Sequence, residues 1–566
     1  MPRPIRTGLQ FLARETRGMH QAAYLLAAFS LASQFLALAR DRTFAAVFGA
    51  GHTLDIYYAA FRTPDFLFST VASLFSLYAL LPILSRIEQE GEGRVALFLR
   101  HLLVIFFAGM SSIAFVLFLF VPKLAPLMAP GIASDPNTAG QLMMMMRILL
   151  LQPILLGASN TVASLTQMRH RFVLYSVSPL LYNLGIIFGA VVLYPTFGIA
   201  GLGWGVVLGA AMHLLVQVPY FVSEKAVGTI SWSEMVRSTW EILKLSVPRT
   251  LALASTQISL LVIVALASLL AAGSIAIFNF AYNLQAVPFT IIGVSYSVAA
   301  FPTLARLHAS GSKQEFSAYV EAAVRHIIFW SIPATVFVIV FRAQIVRLIL
   351  GAGAFDWNAT RLTAAALALF ILSLLGQSLT LLIARAYYAV GNTRKPFYFG
   401  LADITLSILS SVGLVFLFTH NLFIRDLVES LLRVDDVPGT TVLMLALGYA
   451  CGSIAEALVG YHYFARDFGI SRAHVRRLVF QSFAASMLGG ALAYQTLSLM
   501  PSILLLHTLG IALEGLAAGV VGAAGLFFVL LLLGNRELKE AIASLKRRFA
   551  DIPQIAVEPT DVASAQ

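Results

Sequence analysis

Cysteine is almost missing from this chain: Cys451 stands alone among 566 residues. A disulfide framework is excluded, and so is a metal site built on paired thiolates. Charge is scarce as well. Asp, Glu, Lys and Arg make up 11% of the residues, against about 25% in ordinary soluble proteins. So little polar surface cannot keep a chain of this length in water, and lipid is the expected solvent. No G-x-x-x-x-G-K-[ST] phosphate loop and no H-E-x-x-H pair occurs, and the 11 histidines are scattered. An ATP-driven pump and a membrane metalloprotease are therefore not expected. No enzymatic constellation stands out, and a transporter is the class that remains.

Apolar length is what the chain has in abundance. Runs near the roughly 20 residues that cross hydrocarbon fall at 21–40, 56–84, 102–130, 140–166, 173–194 and 199–222. Others follow at 240–270, 274–303, 323–350, 362–388, 397–418 and 441–464, and two more at 479–499 and 504–533. The expected fold is an all-α polytopic membrane protein of about fourteen transmembrane helices. The net charge of +11 does not point to nucleic acid, because the basic residues collect in alternate loops. One set holds Arg86, Arg94 and Arg100; Arg169 and Arg171; Lys225 and Arg237; Arg306 and Lys313; Arg394 and Lys395; Arg466, Arg472, Arg476 and Arg477. The loops between them are poor in Lys and Arg. This asymmetry places both termini on the cytoplasmic face of an inner membrane. The loop at 342–361 is the exception, with Arg342, Arg347 and Arg361. Residues 1–20 read as a basic amphipathic segment on the membrane surface. Residues 536–566 read as a second basic segment followed by a disordered tail.

A weak internal repeat is present. Ile56-Tyr-Tyr-Ala-Ala-Phe-Arg62 is similar to Ile277-Phe-Asn-Phe-Ala-Tyr-Asn283, and each copy later ends in Pro-x-Leu-x-Arg or its near equivalent, at Pro82 to Arg86 and Pro302 to Arg306. Six spans separate the copies, so they share an orientation. Parallel repeats of this kind place a substrate cavity between two lobes. Polar residues inside the spans are the candidates for lining it. A charge at the bilayer centre costs at least about 2.5 kcal/mol, so each should face a cavity or a partner. The richest region holds Ser33, Arg40, Asp41, Asp55, Arg62 and Asp65. Arg249 and Gln257 follow on the seventh span, Asn279, Asn283 and Gln285 on the eighth, Asp403 on the eleventh and Glu456 on the twelfth. Asn279 and Asn283 are one turn apart and equally suited to bonding a neighbouring helix. Arg40 and Arg42 close the first apolar run and are equally readable as snorkelling boundary residues. The Met143 to Met146 run reads as core filler.

Motifs in order carry a family resemblance: Leu38-Ala-Arg-Asp41, Phe48-Gly-Ala-Gly51, Asp55, Ala60-Phe-Arg-Thr-Pro64 and Leu81-Pro-Ile-Leu84. After these come Gln167-Met-Arg-His-Arg-Phe172 with Pro179 and Asn183, Thr256-Gln-Ile-Ser259, Leu350-Gly-Ala-Gly-Ala-Phe355 and Ala384 to Pro396. Together they resemble the lipid II flippases of the MurJ/MviN family, within the multidrug/oligosaccharidyl-lipid/polysaccharide exporter superfamily, over roughly residues 20 to 535. The resemblance implies a flippase that moves a polyprenyl-pyrophosphate glycan, lipid II, from inner to outer leaflet by alternating access. It implies two six-helix lobes, here 21–225 and 226–466, and a pair of helices at 467–535 that hold the polyprenyl tail. It implies substrate contacts at Arg40, Asp41 and Asp55, which match the family; Ser33, Arg62, Arg249 and Asn283 join them as candidates from the polar residues of the spans. It also implies a coupling cation, sodium or a proton, at Asp403 with Gln257, and no other cofactor. Membrane lipids and cell-wall synthesis proteins are the further partners expected. The chain departs from the family where arginines are usual: Gln34, Phe68 and Asn283 stand there, and Ser73 replaces an acidic residue. A cavity so poor in cations keeps other readings open: another polyprenyl-linked glycan, a multidrug or metabolite cation antiporter, or a membrane scaffold for cell-wall synthesis.

Overall fold

The structure is a computed structural model that describes residues 19–75, 77–89, 91, 93–469, 472–500 and 508–550. The basic segment before Met19 and the tail after Ala550 lie outside the described residues. The described residues form helices throughout. The first lobe begins with Met19–Phe48 and a broken second span, His52–Thr70 continued by Leu77–Gln89. Arg94–Met128 is the third span, Pro136–Met168 the fourth, Phe172–Phe197 the fifth and Ile199–Ser223 the sixth. The second lobe runs through Trp232–Ser268, Ser274–Ala309, Lys313–Val340, a tenth span in two pieces (Trp357–Phe370 and Ser373–Ala389), Arg394–His420 and Val442–Phe468. Arg472–Leu499 and Thr508–Leu532 complete the set. Among the described residues nine helices are long and apolar enough to cross a membrane by composition alone, and ten if the pieces of the tenth span, bent by 43°, count as one.

Two boundaries differ from those expected, each for a physical reason. The first span does not stop at Arg40. It continues to Phe48 and ends at Gly49, whose φ of +63° suits a residue without a side chain. Arg40, Asp41 and Arg42 can sit inside the helix because each has a partner. Arg42 donates to the carbonyls of Leu348 (2.7 Å) and Ile349 (3.2 Å), capping the short helix Arg342–Leu350. It is a helix cap rather than a snorkelling residue. The second span, expected as one run, breaks after Thr70. The hydroxyls of Ser69 and Thr70 both bond back to the Phe66 carbonyl, which competes with the helical ladder, and a 3₁₀ turn at Ala72–Phe75 follows.

Small residues set the packing within each lobe. In the first, Gly185 and Gly189 of the fifth span meet Gly205 and Gly209 of the sixth. A Cβ on Gly189 would lie 2.5 Å from the Gly205 Cα. In the second lobe, Gly448 and Gly452 of the twelfth span meet Ser411 and Ser407 of the eleventh. Such contacts let helices approach closely where lipid provides no hydrophobic drive. Spans two and eight lie side by side between the lobes. They touch through His52–Thr70 and Ser274–Phe289, while Leu77–Gln89 and Ser295–Ala309 pack chiefly within their own lobes. The two spans therefore diverge toward the end that carries the arginine-rich loops. The thirteenth span packs on the fourteenth and on the ninth.

Candidate functional site

The site lies where spans one, two, five and eight converge. Arg40, on the first span, donates from Nε (3.0 Å) and Nη2 (2.8 Å) to Asp41 Oδ1, and from Nη1 to Asn183 Oδ1 at 3.2 Å. Asn183 lies on the fifth span and donates in turn to the Pro179 carbonyl. The second Asp41 oxygen accepts from Asn283 Nδ2 of the eighth span at 3.0 Å. A polar chain from Asn183 through Arg40 and Asp41 to Asn283 thus crosses from one lobe to the other. A second crossing lies beside it: Arg62 Nη2 donates to Asn279 Oδ1 at 3.0 Å. Asn279 and Asn283, one turn apart on one face, each meet a first-lobe side chain.

These groups border a cavity of about 230 Å³ lined by Arg40, Arg62, Asp65, Asn279, Asn283 and aromatic residues including Tyr57, Tyr58 and Tyr182. Its charges nearly balance. Arg40 is held by Asp41, and Asp65 lies in the field of Arg62. The two guanidinium groups are not equivalent. All three bonding nitrogens of Arg40 are engaged, whereas Arg62 makes one side-chain bond and a long 3.4 Å contact to the Tyr58 carbonyl. Arg62 is the cation with donors to spare. Tyr182, which accepts from Gln152 Nε2 at 3.1 Å, was not singled out in the sequence. A tyrosine in an apolar span gives no signal that separates it from interfacial or core tyrosines.

Asp55, expected to contact substrate, does not line this cavity. It sits in the first turn of the second span and accepts from the backbone amides of Gly273 (2.5 Å) and Ala276 (2.8 Å), capping the eighth span across the lobe boundary. Around it the lobes meet backbone to backbone. Ala354 N donates to the Ala46 carbonyl, and Gly353 and Gly273, both with positive φ, face the carbonyls of Ala46 and Ala50 so closely that a Cβ would lie 2.2 Å from either. The lobes are thus closed together at the end away from the arginine-rich loops. At the other end lies a cavity of about 460 Å³ bordered by Arg86, Arg94, Glu234 and Arg237, where Arg86 makes a two-pronged bond with Glu241 (3.1 and 2.9 Å) and Arg94 pairs with Glu234 at 2.6 Å.

The other expected site residues are dispersed. Ser33 is on the first span, two turns before Arg40, and is not among the residues bordering the central cavity. The Arg249 side chain lies outside the described residues. Gln257 is half-buried on the seventh span and makes no hydrogen bond to Asp403. Asp403 is buried inside the second lobe, accepting from Ser407 at 3.1 Å. Asp403 is not among the residues bordering the central cavity, and Glu456 lies on the neighbouring twelfth span, which packs closely on the eleventh.

Comparison with known proteins agrees with this geometry. A family model described as "Lipid II flippase MurJ" matches residues 44–513. The chain is 25% identical over 420 residues to the lipid II flippase MurJ of Burkholderia cenocepacia, an alignment covering 71% of this chain and 79% of that one. It is 26% identical over 375 residues to the probable lipid II flippase MurJ of Thermotoga maritima, covering 66% and 75%. A solved structure described as lipid II flippase MurJ in an inward closed conformation superposes with a TM-score of 0.69, at 19% identity, over 90% of this chain and 100% of that one. An inward-facing multidrug transporter of the MATE family shares the fold at a TM-score of 0.63 and 14% identity, over 77% and 94%.

Proposed function

This chain belongs to the lipid II flippase MurJ family, and on that premise we propose that the cavity between its lobes receives the pyrophosphate of lipid II. The protein is a multi-pass transporter of the bacterial inner membrane that flips lipid II between leaflets. The observation that carries the assignment of the site is the pair of polar crossings, Arg40–Asp41–Asn283 and Arg62–Asn279, in a cavity closed at one end by Asp55 and the glycine seam. Arg62 makes the first phosphate contact, because its guanidinium has unused donors. Arg40 follows by exchanging Asp41 for a phosphate oxygen, an exchange of one charge-assisted, forked contact for another. Breaking the two crossings and the Asp55 cap would loosen the lobes at the cavity and the closed end, while Arg86–Glu241 and Arg94–Glu234 join them at the other, the exchange that alternating access requires.

Orientation follows from the loops. With both termini cytoplasmic, the arginine-rich end faces the cytoplasm and the cavity diverges toward it. Reporter fusions after Gly351 and after Lys395 should then read outside and inside; the same side for both would contradict this orientation. The thirteenth and fourteenth spans are assigned the polyprenyl tail, and Asp403 with Glu456 a coupling proton or sodium ion. The function is tested by complementation of a strain depleted of its own flippase. Growth with the parent chain, lost with Arg62→Ala at matched expression, supports the reading. Growth retained with both Arg40→Ala and Arg62→Ala removes the pyrophosphate from this cavity.

A further inference from the structure

The connection between the eleventh and twelfth spans is much longer than its counterpart in the first lobe. Six spans earlier in the repeat, the fifth span ends at Phe197 and the sixth begins at Ile199, with Gly198 alone between them. In the second lobe the eleventh span ends at His420 and the twelfth begins at Val442. The extra chain contains one helix, Leu422–Leu432, of 11 residues. Asn421 starts it: the side-chain oxygen accepts from the Ile424 amide at 3.2 Å, as an N-cap does. The far end is tied down. Arg361 Nη2 of the tenth span donates to the Arg433 carbonyl at 2.5 Å, and Arg433 Nη2 donates to the Tyr494 hydroxyl of the thirteenth span at 2.9 Å.

Three kinds of surface run along this helix. Val428 and Leu432, one turn apart, pack against the protein core. Glu429 is buried beside them and accepts from Arg425 and Thr440. Phe423, Leu427 and Leu431 form a second row, at 74%, 56% and 75% exposure. Asp426 and Ser430 form a third, polar and exposed. At about 100° per residue the exposed apolar row lies between the packed row and the polar one. That is the order a helix meets where protein, lipid and water come together. Depth agrees with it. The eleventh span has 27 residues, which reach about 40 Å at about 1.5 Å each, against about 30 Å of hydrocarbon. It begins at Arg394 and Lys395 and exposes Leu409, Val412 and Phe416, the apolar side that a membrane span turns to lipid. Its last turn therefore emerges in the headgroup layer, and Leu422 follows after a single residue.

We infer that Leu422–Leu432 is an interfacial helix, lying along the headgroup layer at the closed end of the bundle with Phe423, Leu427 and Leu431 in the top of the acyl chains. Its partner is the lipid surface itself. The exposed row continues the lipid-facing surface of the eleventh span across Asn421, and the polar row leaves Asp426 and Ser430 in water. A helix with two such faces is held in the interface plane by its buried apolar area. The ties at Arg433 pass this hold to the tenth and thirteenth spans, so the second lobe is fixed in depth at this leaflet. The first lobe, with Gly198 in the same place, has no such hold there. The inference stands whether or not the central cavity takes lipid II.

Spin labels on the full chain read the faces one by one. Cys451, the one cysteine of the chain, is first removed as Cys451→Ser. Single cysteines are then introduced as Phe423→Cys, Leu427→Cys, Leu431→Cys, Asp426→Cys and Ser430→Cys. Leu409→Cys on the eleventh span is the lipid reference, and Asp435→Cys, just past the helix, is the water reference. Each labelled protein is reconstituted in phosphatidylcholine nanodiscs. Its collisions with oxygen, which concentrates among acyl chains, and with a water-soluble nickel chelate are measured. The ratio of oxygen to nickel accessibility at positions 423, 427 and 431 should approach that at 409 and exceed that at 426 and 430 severalfold. All five labels replace exposed side chains; if one variant of the apolar row does not fold, the other two carry the comparison. A ratio along the row equal to that at 435 puts the row in water and overturns the inference. Protection of the row from both reagents means that protein covers it in place of lipid, and overturns it as well.

Discussion

The two lobes bring opposite chemistry to one boundary. On the repeat register, Arg62 of the second span corresponds to Asn283 of the eighth, Tyr58 to Asn279 and Asp55 to Ala276. At the central cavity and the closed end the first lobe supplies the charges, and the second answers with amides: Asn283 to Asp41, Asn279 to Arg62, and two backbone N–H groups to Asp55. Asp403 is buried within the second lobe and takes no part in these bonds, while Glu234 and Glu241 of that lobe pair with Arg94 and Arg86 at the end that carries the arginine-rich loops. On the proposed reading, the two halves divide two tasks, holding an anion and holding a cation, between separate places. An amide satisfies a charged partner while carrying no charge of its own, so separating the lobes strands no charge on the second lobe and leaves Arg62 and Asp55 of the first to find new partners.

The sharpest way to break this comparison is to remove the charged side and the amide side in turn. Arg62→Ala should abolish complementation and weaken binding of a polyprenyl pyrophosphate by one to two orders of magnitude, the equivalent of roughly 1.5–3 kcal/mol. Arg40→Ala should do the same, with Arg40→Lys only partly rescued because the planar fork is lost. Asn283→Ala and Asn279→Ala should cost less, since each removes a neutral donor or acceptor. Equal losses on both sides in a binding titration would erase the proposed asymmetry.

Packing offers a second contrast. Gly189→Leu forces a side chain into the Gly205 backbone, and Gly452→Leu forces one into Ser407. Each should destabilise its lobe by about 1–3 kcal/mol, whereas Gly413→Leu, with nothing within 4 Å, should be neutral. Thermal unfolding in detergent distinguishes them, and a neutral Gly189→Leu would show that the fifth and sixth spans are not held at contact distance.

Asp403→Asn sharpens the division of tasks. It should reduce transport driven by an ion gradient while lipid binding and thermal stability stay near the parent's. Loss of lipid binding would place Asp403 with the anion site instead.

The smallest effect belongs to the surface. Hydrogen bonds from Arg361 hold Asp436 below the usual carboxylate value. A depressed value favours the ionised fold, so this link is fully present above the unfolded-state value and is lost as pH falls through the folded one. Because Asp436 is exposed, Arg361→Gln should lower stability at neutral pH only slightly, and the difference from the parent should vanish as pH falls through the Asp436 value. A large change at neutral pH would mean that the loop anchors more than itself.

Much of this molecule was legible in its residues. Apolar run length fixed the spans, because a helix must satisfy its own backbone across hydrocarbon. Loop arginines pointed to the orientation, and scarce charges inside the spans singled out Arg40, Asp41, Arg62, Asn279 and Asn283, since each needs a partner there. Only the tertiary structure decided who those partners are. Hydropathy placed Arg40 at the end of a span because it registers charge and not pairing; Asp41 and Asn183 let the helix run on to Phe48. Asp55 looked like a cavity residue until the start of the eighth span was seen against it. Asp403 and Glu456, far apart in sequence, came onto neighbouring helices only when the eleventh and twelfth spans met across their serines and glycines. A sequence records which groups cannot be left alone in lipid. Which group answers them depends on helix contacts between residues tens to hundreds of positions apart, and local pattern carries no record of those.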